Sequence, residues 1–128
     1  MMEEAYKTIY VVGAVIVKDG KVLATQRGYG GYAGWWEFPG GKIEPGEEPE
    51  AALVRELKEE LDVDIVIERY FGTTEYDYPE FHLSMRCYLC TLVSKDVSLR
   101  EHSSALWLGR DEIHSVKRLV LKIYEFLP

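Results

Sequence analysis

The chain has 128 residues, of which 47% are hydrophobic and 29% charged, and its formal net charge is −7. This length suits one packed domain over residues 1–128, and the acidic balance argues against tight binding to DNA or RNA, which needs several Lys and Arg residues on one face. No apolar run approaches the ~18 residues that cross a bilayer, and the acidic start lacks the basic region of a signal peptide, so we expect a cytoplasmic protein with no membrane partner.

The first part of the chain predicts a hairpin of two strands. Residues Tyr10 to Val17 are almost continuously apolar, as in a strand that is buried on both faces. Asp19-Gly20 then favours a tight turn into a second strand from Lys21 to Arg27. The glycine-rich residues 28–34 lack the Gly-Lys-Ser/Thr end of a phosphate loop, so we interpret them as a mobile loop. Residues 35–41 lead a short strand into the next element.

A helix is predicted from Pro49 onward. Leu53, Leu57 and Leu61 recur every four positions, which is the spacing of one buried helical stripe.

The same helix carries an acidic cluster. Glu56, Glu59 and Glu60 lie at positions i, i+3 and i+4, so we expect three carboxylates on one exposed side, while Lys58 points elsewhere. Like charges this close repel one another. A hard divalent cation with oxygen ligands would stabilise them, and Mg²⁺ suits the cluster best.

The second half of the chain predicts several strands and a final helix. Residues 64–70, 72–78 and 81–93 are rich in β-branched and aromatic residues and are separated by Gly72 and Pro79. Residues 106–108 form a short last strand. A second helix after Asp111 has an apolar stripe of Val116, Leu119, Val120, Ile123 and Phe126. Two amphipathic helices around a mixed sheet give an α/β/α sandwich, so the fold class is α/β.

The two cysteines and three histidines are interpreted as structural or surface residues. Cys87 and Cys90 have opposite parity on an alternating strand, so their side chains point to opposite faces, with Cα atoms ~10 Å apart and beyond disulfide reach. His82, His102 and His114 lack a second histidine at metal-ligand spacing, and we expect them at the surface.

The helix and the segment before it share one pattern, which is Gly41, Glu47, Arg55-Glu56-Leu57, Glu59-Glu60 and Val63. Over 23 residues (63 − 41 + 1) it resembles the Nudix box, the signature of hydrolases that act on nucleoside diphosphates linked to another group. The resemblance implies the α/β/α architecture as well. It also implies that Glu56, Glu59 and Glu60 are metal ligands, with the backbone carbonyl of Gly40 completing the shell of Mg²⁺, for which Mn²⁺ can substitute.

Other positions of the box have structural roles in the family. Arg55 resembles the arginine that pairs with the first box glutamate, here Glu47, and thereby holds the loop against the helix. Gly41 is the first box glycine. One position departs, because Asp62 stands where the family usually has glycine, and Asp is less well suited to a left-handed helix end.

Outside the box the chain resembles the MutT-like branch of the family, which hydrolyses nucleoside triphosphates to monophosphate and pyrophosphate. The resemblance rests on residues 25–27, 36–42 and 75–82. Arg27 matches a residue that contacts the nucleotide, or it is a surface arginine at a strand end. Where the branch often has an Asn or Asp that reads the base, this chain has Ser115-Val116-Lys117-Arg118-Leu119. Base preference therefore does not follow from the resemblance.

Three more residues have two readings each. Glu101 precedes the last strand, where family members often supply a further acidic group to the metal or the water, or it is a simple loop charge. Tyr76 and Tyr78 share a strand face and either stack on a base or pack in the core.

The resemblance implies a metal-dependent nucleoside triphosphate pyrophosphohydrolase with a small nucleotide substrate, acting as a monomer or homodimer. A role in cleansing the nucleotide pool, of the 8-oxo-dGTP or CTP/dCTP type, is one candidate. Hydrolysis of ADP-ribose or of a dinucleoside polyphosphate is the alternative within the family, for which Pro79 is the suggestive residue. A non-catalytic nucleotide-binding regulator is the alternative outside enzymology, but every box carboxylate is present.

Overall fold

The computed structural model describes residues 7–27, 36–93 and 102–112. The predicted glycine-rich loop, Glu101 and the predicted second helix lie outside these ranges. Within them the chain forms one helix, α1 (Pro49–Leu61), and seven strands. The strands are β1 (Thr8–Lys18), β2 (Lys21–Arg27), β3 (Trp36–Glu37), β4 (Gly40–Lys42), β5 (Ile65–Asp77), β6 (His82–Leu92) and β7 (His102–Leu108).

The strands form a mixed sheet with β1 near its middle. The order is β3-β2-β1-β6-β5, with β4 paired to β1 and β7 paired to β2. Strand β1 runs parallel to β6 and antiparallel to β2 and β4. A mixed sheet covered by a helix confirms the α/β class. No helix within the described ranges combines the length and the apolar composition that a membrane span requires.

The β1–β2 hairpin forms as predicted. Val17 pairs with Val22 and Lys18 with Lys21, which leaves a two-residue turn. Both turn residues are left-handed, with φ of 52° at Asp19 and 77° at Gly20. That is the conformation of the turn type that matches the twist of the two strands, and an Asp-Gly pair favours it.

The predicted break at Gly72 is wrong. Strand β5 is continuous from Ile65 to Asp77, and Gly72 lies at one of two register shifts against β6, between Tyr70 and Gly72. A glycine in a strand often marks such an irregularity instead of a turn. Strand β7 also extends further towards the N terminus than the three residues predicted.

The core divides between the two faces of the sheet. On one face the buried side chains of β1 and β6 pack with Leu53, Leu57 and Leu61 of α1, and Cys90 belongs to this cluster. Cys87 belongs to the cluster on the other face, with Val15 and Tyr78. Both thiols are free, as predicted, and burial raises the pKa of each to about 12.

Candidate metal and phosphate site

Helix α1 begins and ends at the residues that its sequence favours. Pro49 occupies the first turn, where its missing N–H costs nothing, and Leu53, Leu57 and Leu61 are fully buried. At the C-terminal end Asp62 is left-handed, with φ of 55°. Its backbone N–H donates to the Lys58 carbonyl over 3.1 Å. These contacts fix the helix against the sheet and thereby fix the direction of its acidic side chains.

Lys58 points away from the acidic cluster, as predicted. Its Nζ atom lies 3.3 Å from Asp64 Oδ1 and 3.7 Å from Asp62 Oδ1, at the end of the helix. Lys58 therefore does not neutralise the negative charge of the cluster.

The expectation that three carboxylates share an exposed side is wrong for two of them. The side chain of Glu59 is 59% exposed, that of Glu56 is 14% exposed, and Glu60 as a residue is 9% exposed. Glu60 lies seven residues after Leu53 and three after Leu57, so it belongs to the side of the helix that faces the sheet. The cluster thus runs from the protein interior to the surface.

Arg55 connects the helix to the loop before it. Its Nε and Nη2 atoms donate to the two carboxylate oxygens of Glu47, each over 2.8 Å. Glu47 also accepts from the backbone N–H of Glu44 over 3.0 Å. The hydrogen bond from Arg55 is the main reason that the pKa of Glu47 falls to about 2, and Glu47 in turn raises the pKa of Arg55.

The remaining donors of Arg55 reach the candidate metal ligands. Nη1 lies 2.9 Å from Glu56 Oε1 and 3.3 Å from Glu59 Oε2, and Nη2 donates to the Lys42 carbonyl over 3.2 Å. One guanidinium therefore holds one oxygen of each of two glutamates and also the last residue of β4. A bidentate arginine pair of this kind restricts geometry more than a lysine could.

Gly41 allows α1 to approach β4 closely, and the adjacent Gly40 allows β4 to approach β1. A Cβ atom on Gly41 would lie 2.4 Å from the carboxyl carbon of Glu56, and one on Gly40 would lie 1.9 Å from the Val12 carbonyl oxygen. No side chain fits at position 40, where the backbone of β1 is in the way, and a side chain at position 41 would have to displace the Glu56 carboxylate. The Glu56 carboxylate occupies the space that a side chain at position 41 would fill.

The donor chemistry of this site fits a hard divalent cation, because carboxylate and carbonyl oxygens are the ligands that Mg²⁺ and Mn²⁺ prefer. As the side chains stand, no group of three or more His, Cys, Asp or Glu in the described ranges is gathered at metal-site spacing. Arg55 accounts for part of this, since it draws Glu56 and Glu59 towards its Nη1 atom. Each of these glutamates keeps a second oxygen, and Glu59 is exposed enough to rotate.

The predicted substrate residues are only partly described. Arg27 is the last residue of β2, and its side chain lies outside the described part, as does Glu101. Tyr78 is buried, and its ring centroid lies 4.7 Å from that of Tyr76 and 5.0 Å from that of Phe81. Tyr78 therefore packs in the core, whereas Tyr76 is exposed, and stacking of Tyr76 on a base stays a prediction.

Glu44 also contacts this site, although it is not one of the box positions. Its carboxylate lies 3.7 Å from Arg55 Nη1, and its backbone donates to Glu47. The turn at Pro45-Gly46 that separates Glu44 from Glu47 is the signal that would have indicated this contact, because such a turn brings its two flanking residues together.

Comparison with known proteins gives matches of three kinds, which are a family profile, named relatives and solved structures. A family profile described as the NUDIX domain matches residues 7–128. The CTP pyrophosphohydrolase of Escherichia coli (strain K12) is 35% identical over 107 residues, which cover 83% of this chain and 79% of that protein. The 8-oxo-dGTP diphosphatase of Proteus vulgaris is 36% identical over 91 residues, which cover 70% and 81%. The crystal structure of the MutT protein from Methanosarcina mazei Go1 superposes with a TM-score of 0.85 at 26% identity and covers 98% of this chain and 94% of that one.

Proposed function

The chain belongs to the NUDIX domain family, and from that premise we propose that it hydrolyses nucleoside triphosphates to a monophosphate and pyrophosphate with the help of Mg²⁺, for which Mn²⁺ can substitute. Removal of damaged or non-standard nucleotides from the cellular pool is the role we assign to this reaction. The relatives named as CTP pyrophosphohydrolase and 8-oxo-dGTP diphosphatase support both parts of the proposal.

The observation that carries the proposal is the attachment of the acidic cluster to Arg55. Hydrolysis of a phosphoanhydride needs charge neutralisation at the phosphates and an oriented water, and it needs no covalent bond to the protein. When bound, a divalent cation neutralises phosphate charge and acts as a Lewis acid at the phosphoryl group. Glu56, Glu59 and Glu60 would hold that cation, together with the backbone carbonyl of Gly40.

The other residues of the site act through these ligands. Arg55 holds Glu56 and Glu59 through its Nη1 atom, and Glu47 holds Arg55 through two hydrogen bonds. Gly41 leaves the space in which the Glu56 carboxylate lies. We assign Arg27 to nucleotide contact, Glu101 to the metal or the water, and Tyr76 to the base, with Tyr78 packing against the Tyr76 ring.

The test is a panel of nucleotides assayed with purified protein and Mg²⁺, in which pyrophosphate and phosphate release are measured separately. We expect pyrophosphate from nucleoside triphosphates, and loss of turnover in excess EDTA that Mg²⁺ or Mn²⁺ restores. Glu48→Gln is a matched control for substitutions in the cluster, because this glutamate precedes α1 and makes no side-chain capping bond. Release of phosphate alone, or full activity in EDTA, would contradict the proposal.

The same panel distinguishes the alternative substrates. ADP-ribose and dinucleoside polyphosphates should be hydrolysed much more slowly than the best triphosphate. We further propose that the protein acts in the cytoplasm, as a monomer or homodimer, and does not bind DNA or RNA tightly at its net charge of −7.

A further inference from the structure

A histidine lies between two carboxylates on the face of the sheet that carries α1. His82 Nδ1 lies 2.6 Å from Asp77 Oδ1, and His82 Nε2 lies 2.6 Å from Glu75 Oε1. Ser84 Oγ donates to the other oxygen of Glu75 over 3.0 Å. We call His82, Asp77 and Glu75 the His82 clamp. None of its members belongs to the Nudix box.

The geometry of the clamp determines the charge of the histidine. An ionised carboxylate only accepts hydrogen bonds, and a neutral imidazole has a single N–H to donate. Both contacts can be hydrogen bonds only when both ring nitrogens carry a proton, so the clamp is complete only with an imidazolium. Consistent with this, the hydrogen bonds that His82 donates to Asp77 and, to a smaller extent, to Glu75 raise the pKa of His82 above 6.5. The same bond with His82 lowers the pKa of Glu75.

The clamp lies at the base of the turn between β5 and β6. Asp77 and His82 are the last register pair before this turn. Within the turn the Tyr78 backbone N–H donates to the Phe81 carbonyl over 2.8 Å, and the Tyr78 ring packs between those of Tyr76 and Phe81. The clamp therefore closes the hairpin end that carries Tyr76, the ring proposed to contact the base.

Other charged groups lie around the clamp on the elements next to it. The His82 backbone N–H donates to the Lys7 carbonyl over 2.8 Å, and Ser84 is paired with Tyr10 of β1. The other charged or titratable groups on these elements include Lys7, Tyr10, Glu80 in the turn, and Arg86, whose guanidinium lies over the Tyr70 ring. Asp77 and Glu75 are the groups at hydrogen-bond distance from the imidazole.

We propose that His82, as an imidazolium, is a positioning residue that holds the β5–β6 turn in the arrangement that binds the nucleotide base, so that substrate affinity falls when His82 loses its proton. The identity of the substrate rests on the proposed function, whereas the hydrogen bonds of the His82 clamp do not. The direction follows from the chemistry. The clamp is complete at pH values below 6.5, and it loses one of its two hydrogen bonds as the pH rises through the raised pKa of the folded protein.

The first test is an NMR titration that does not depend on activity. The imidazole nitrogen signals of His82 should titrate with a midpoint above 6.5 in the wild type and with a lower midpoint in Asp77→Asn. The amide signals of Tyr78 and Phe81 should follow the same titration in the wild type and not in His82→Gln. A midpoint at or below 6.5 would show that the two carboxylates do not stabilise the imidazolium. Amide signals of Tyr78 and Phe81 that do not change over the titration would show that the clamp does not hold the turn.

The second test separates KM from kcat for the best nucleotide between about pH 6 and about pH 9, the range over which a histidine with a raised pKa changes charge. The KM of His82→Gln should exceed that of the wild type by about two- to five-fold at low pH, as for loss of an exposed ion pair, and approach it at high pH. The kcat ratio should stay flat. The ionisation of the substrate and of metal-bound water affects the wild type and His82→Gln equally. It therefore cancels in the KM ratio and in the kcat ratio.

Glu80→Gln is the matched control, because it removes a carboxylate from the same turn and leaves the clamp in place. Its KM should match the wild type at every pH. A KM ratio for His82→Gln that does not change with pH would overturn the positioning role. If the protein hydrolyses no nucleotide, the proposed function fails, and the NMR titration still decides whether the clamp controls the turn.

Discussion

The role of Glu59 is a question at the scale of one residue. Glu59 is the most exposed member of the acidic cluster, so its substitution should disturb the helix least. We expect Glu59→Gln to lower turnover by at least ~100-fold, because loss of one ligand weakens charge stabilisation by a metal that is worth several kcal/mol. Circular dichroism should show an unchanged fold, and Glu48→Gln should keep its activity. Near wild-type turnover of Glu59→Gln would refute the metal assignment.

A second prediction at the scale of one residue concerns Asp62. Its φ of 55° is a conformation that glycine adopts without a Cβ clash. The ion pair that Asp62 forms with Lys58 is exposed and long, at 3.7 Å, so its loss should matter little. We expect Asp62→Gly to raise the free energy of unfolding by up to ~1 kcal/mol, as measured by urea denaturation. A decrease would show that the Asp62 side chain contributes more than its backbone conformation costs.

The packing of α1 on β4 leads to a prediction at the scale of elements. Because a Cβ on Gly41 would lie 2.4 Å from the Glu56 carboxyl group, Gly41→Ala should displace that carboxylate. We expect turnover to fall by roughly 10- to 100-fold, the usual effect of disturbing the support of a metal ligand. Gly72→Ala is the control, because a Cβ there meets no atom within 4 Å. Equal activity of the two variants would be inconsistent with this arrangement.

The link between the loop and α1 should make stability depend on pH. The pKa of Glu47 is lowered from 4.5 to about 2, mainly by Arg55. The contribution of this pair is therefore fully present above pH 4.5 and is lost as the pH falls through about 2. We expect the Tm of Glu47→Gln to lie below that of the wild type at neutral pH, and the difference to shrink on acidification. A difference that is the same at neutral and acidic pH would argue against the ion pair.

Much of this architecture could be predicted from local patterns. The start of α1 follows from Pro49 and the leucine stripe, and the first hairpin follows from Asp19-Gly20, because each signal acts within a few residues. The burial of Glu60 could also have been predicted, since it lies two turns after Leu53. The spacing of the three carboxylates from one another does not indicate this burial, whereas their position relative to the leucine stripe does.

Features that depend on register could not be predicted. A glycine signals both a strand break and a bulge, so the sequence alone does not distinguish them at Gly72. Two register shifts in β5 change which of its residues lie opposite β6. The contact of His82 with Glu75 depends on the register that the turn after Asp77 sets, and alternation along β6 alone indicated only a surface histidine. The box residues were predictable as a set, whereas the Arg55 contacts to Glu56 and Glu59 required the folded geometry.

Substrate choice is a property of the whole molecule. A site that reads a base edge by hydrogen bonds rejects analogues by large factors, whereas a stacking site discriminates weakly. Lys117, Arg118 and Leu119 replace the stretch that usually supplies the reading Asn or Asp. We expect catalytic efficiencies for the four common deoxynucleoside triphosphates and 8-oxo-dGTP to lie within ~100-fold of one another.

Arg27→Ala provides the matching test, because it should weaken all of these substrates by a similar factor. A preference for one substrate above ~1,000-fold would show that another residue reads the base.

The parallel pairing of β1 with β6 has a consequence for how the chain acquires its structure. Each of the nine pairs from Thr8–His82 to Ile16–Cys90 joins residues 74 positions apart (82 − 8). During synthesis the edge of β1 that pairs with β6 therefore stays uncovered until β6 has been made. Contacts this distant in sequence slow folding, and we expect it to take about milliseconds to seconds. In that interval β1 keeps an apolar, unpaired edge that is open to aggregation, so we expect chaperone demand to depend on β1 more than on the helix that carries the chemistry.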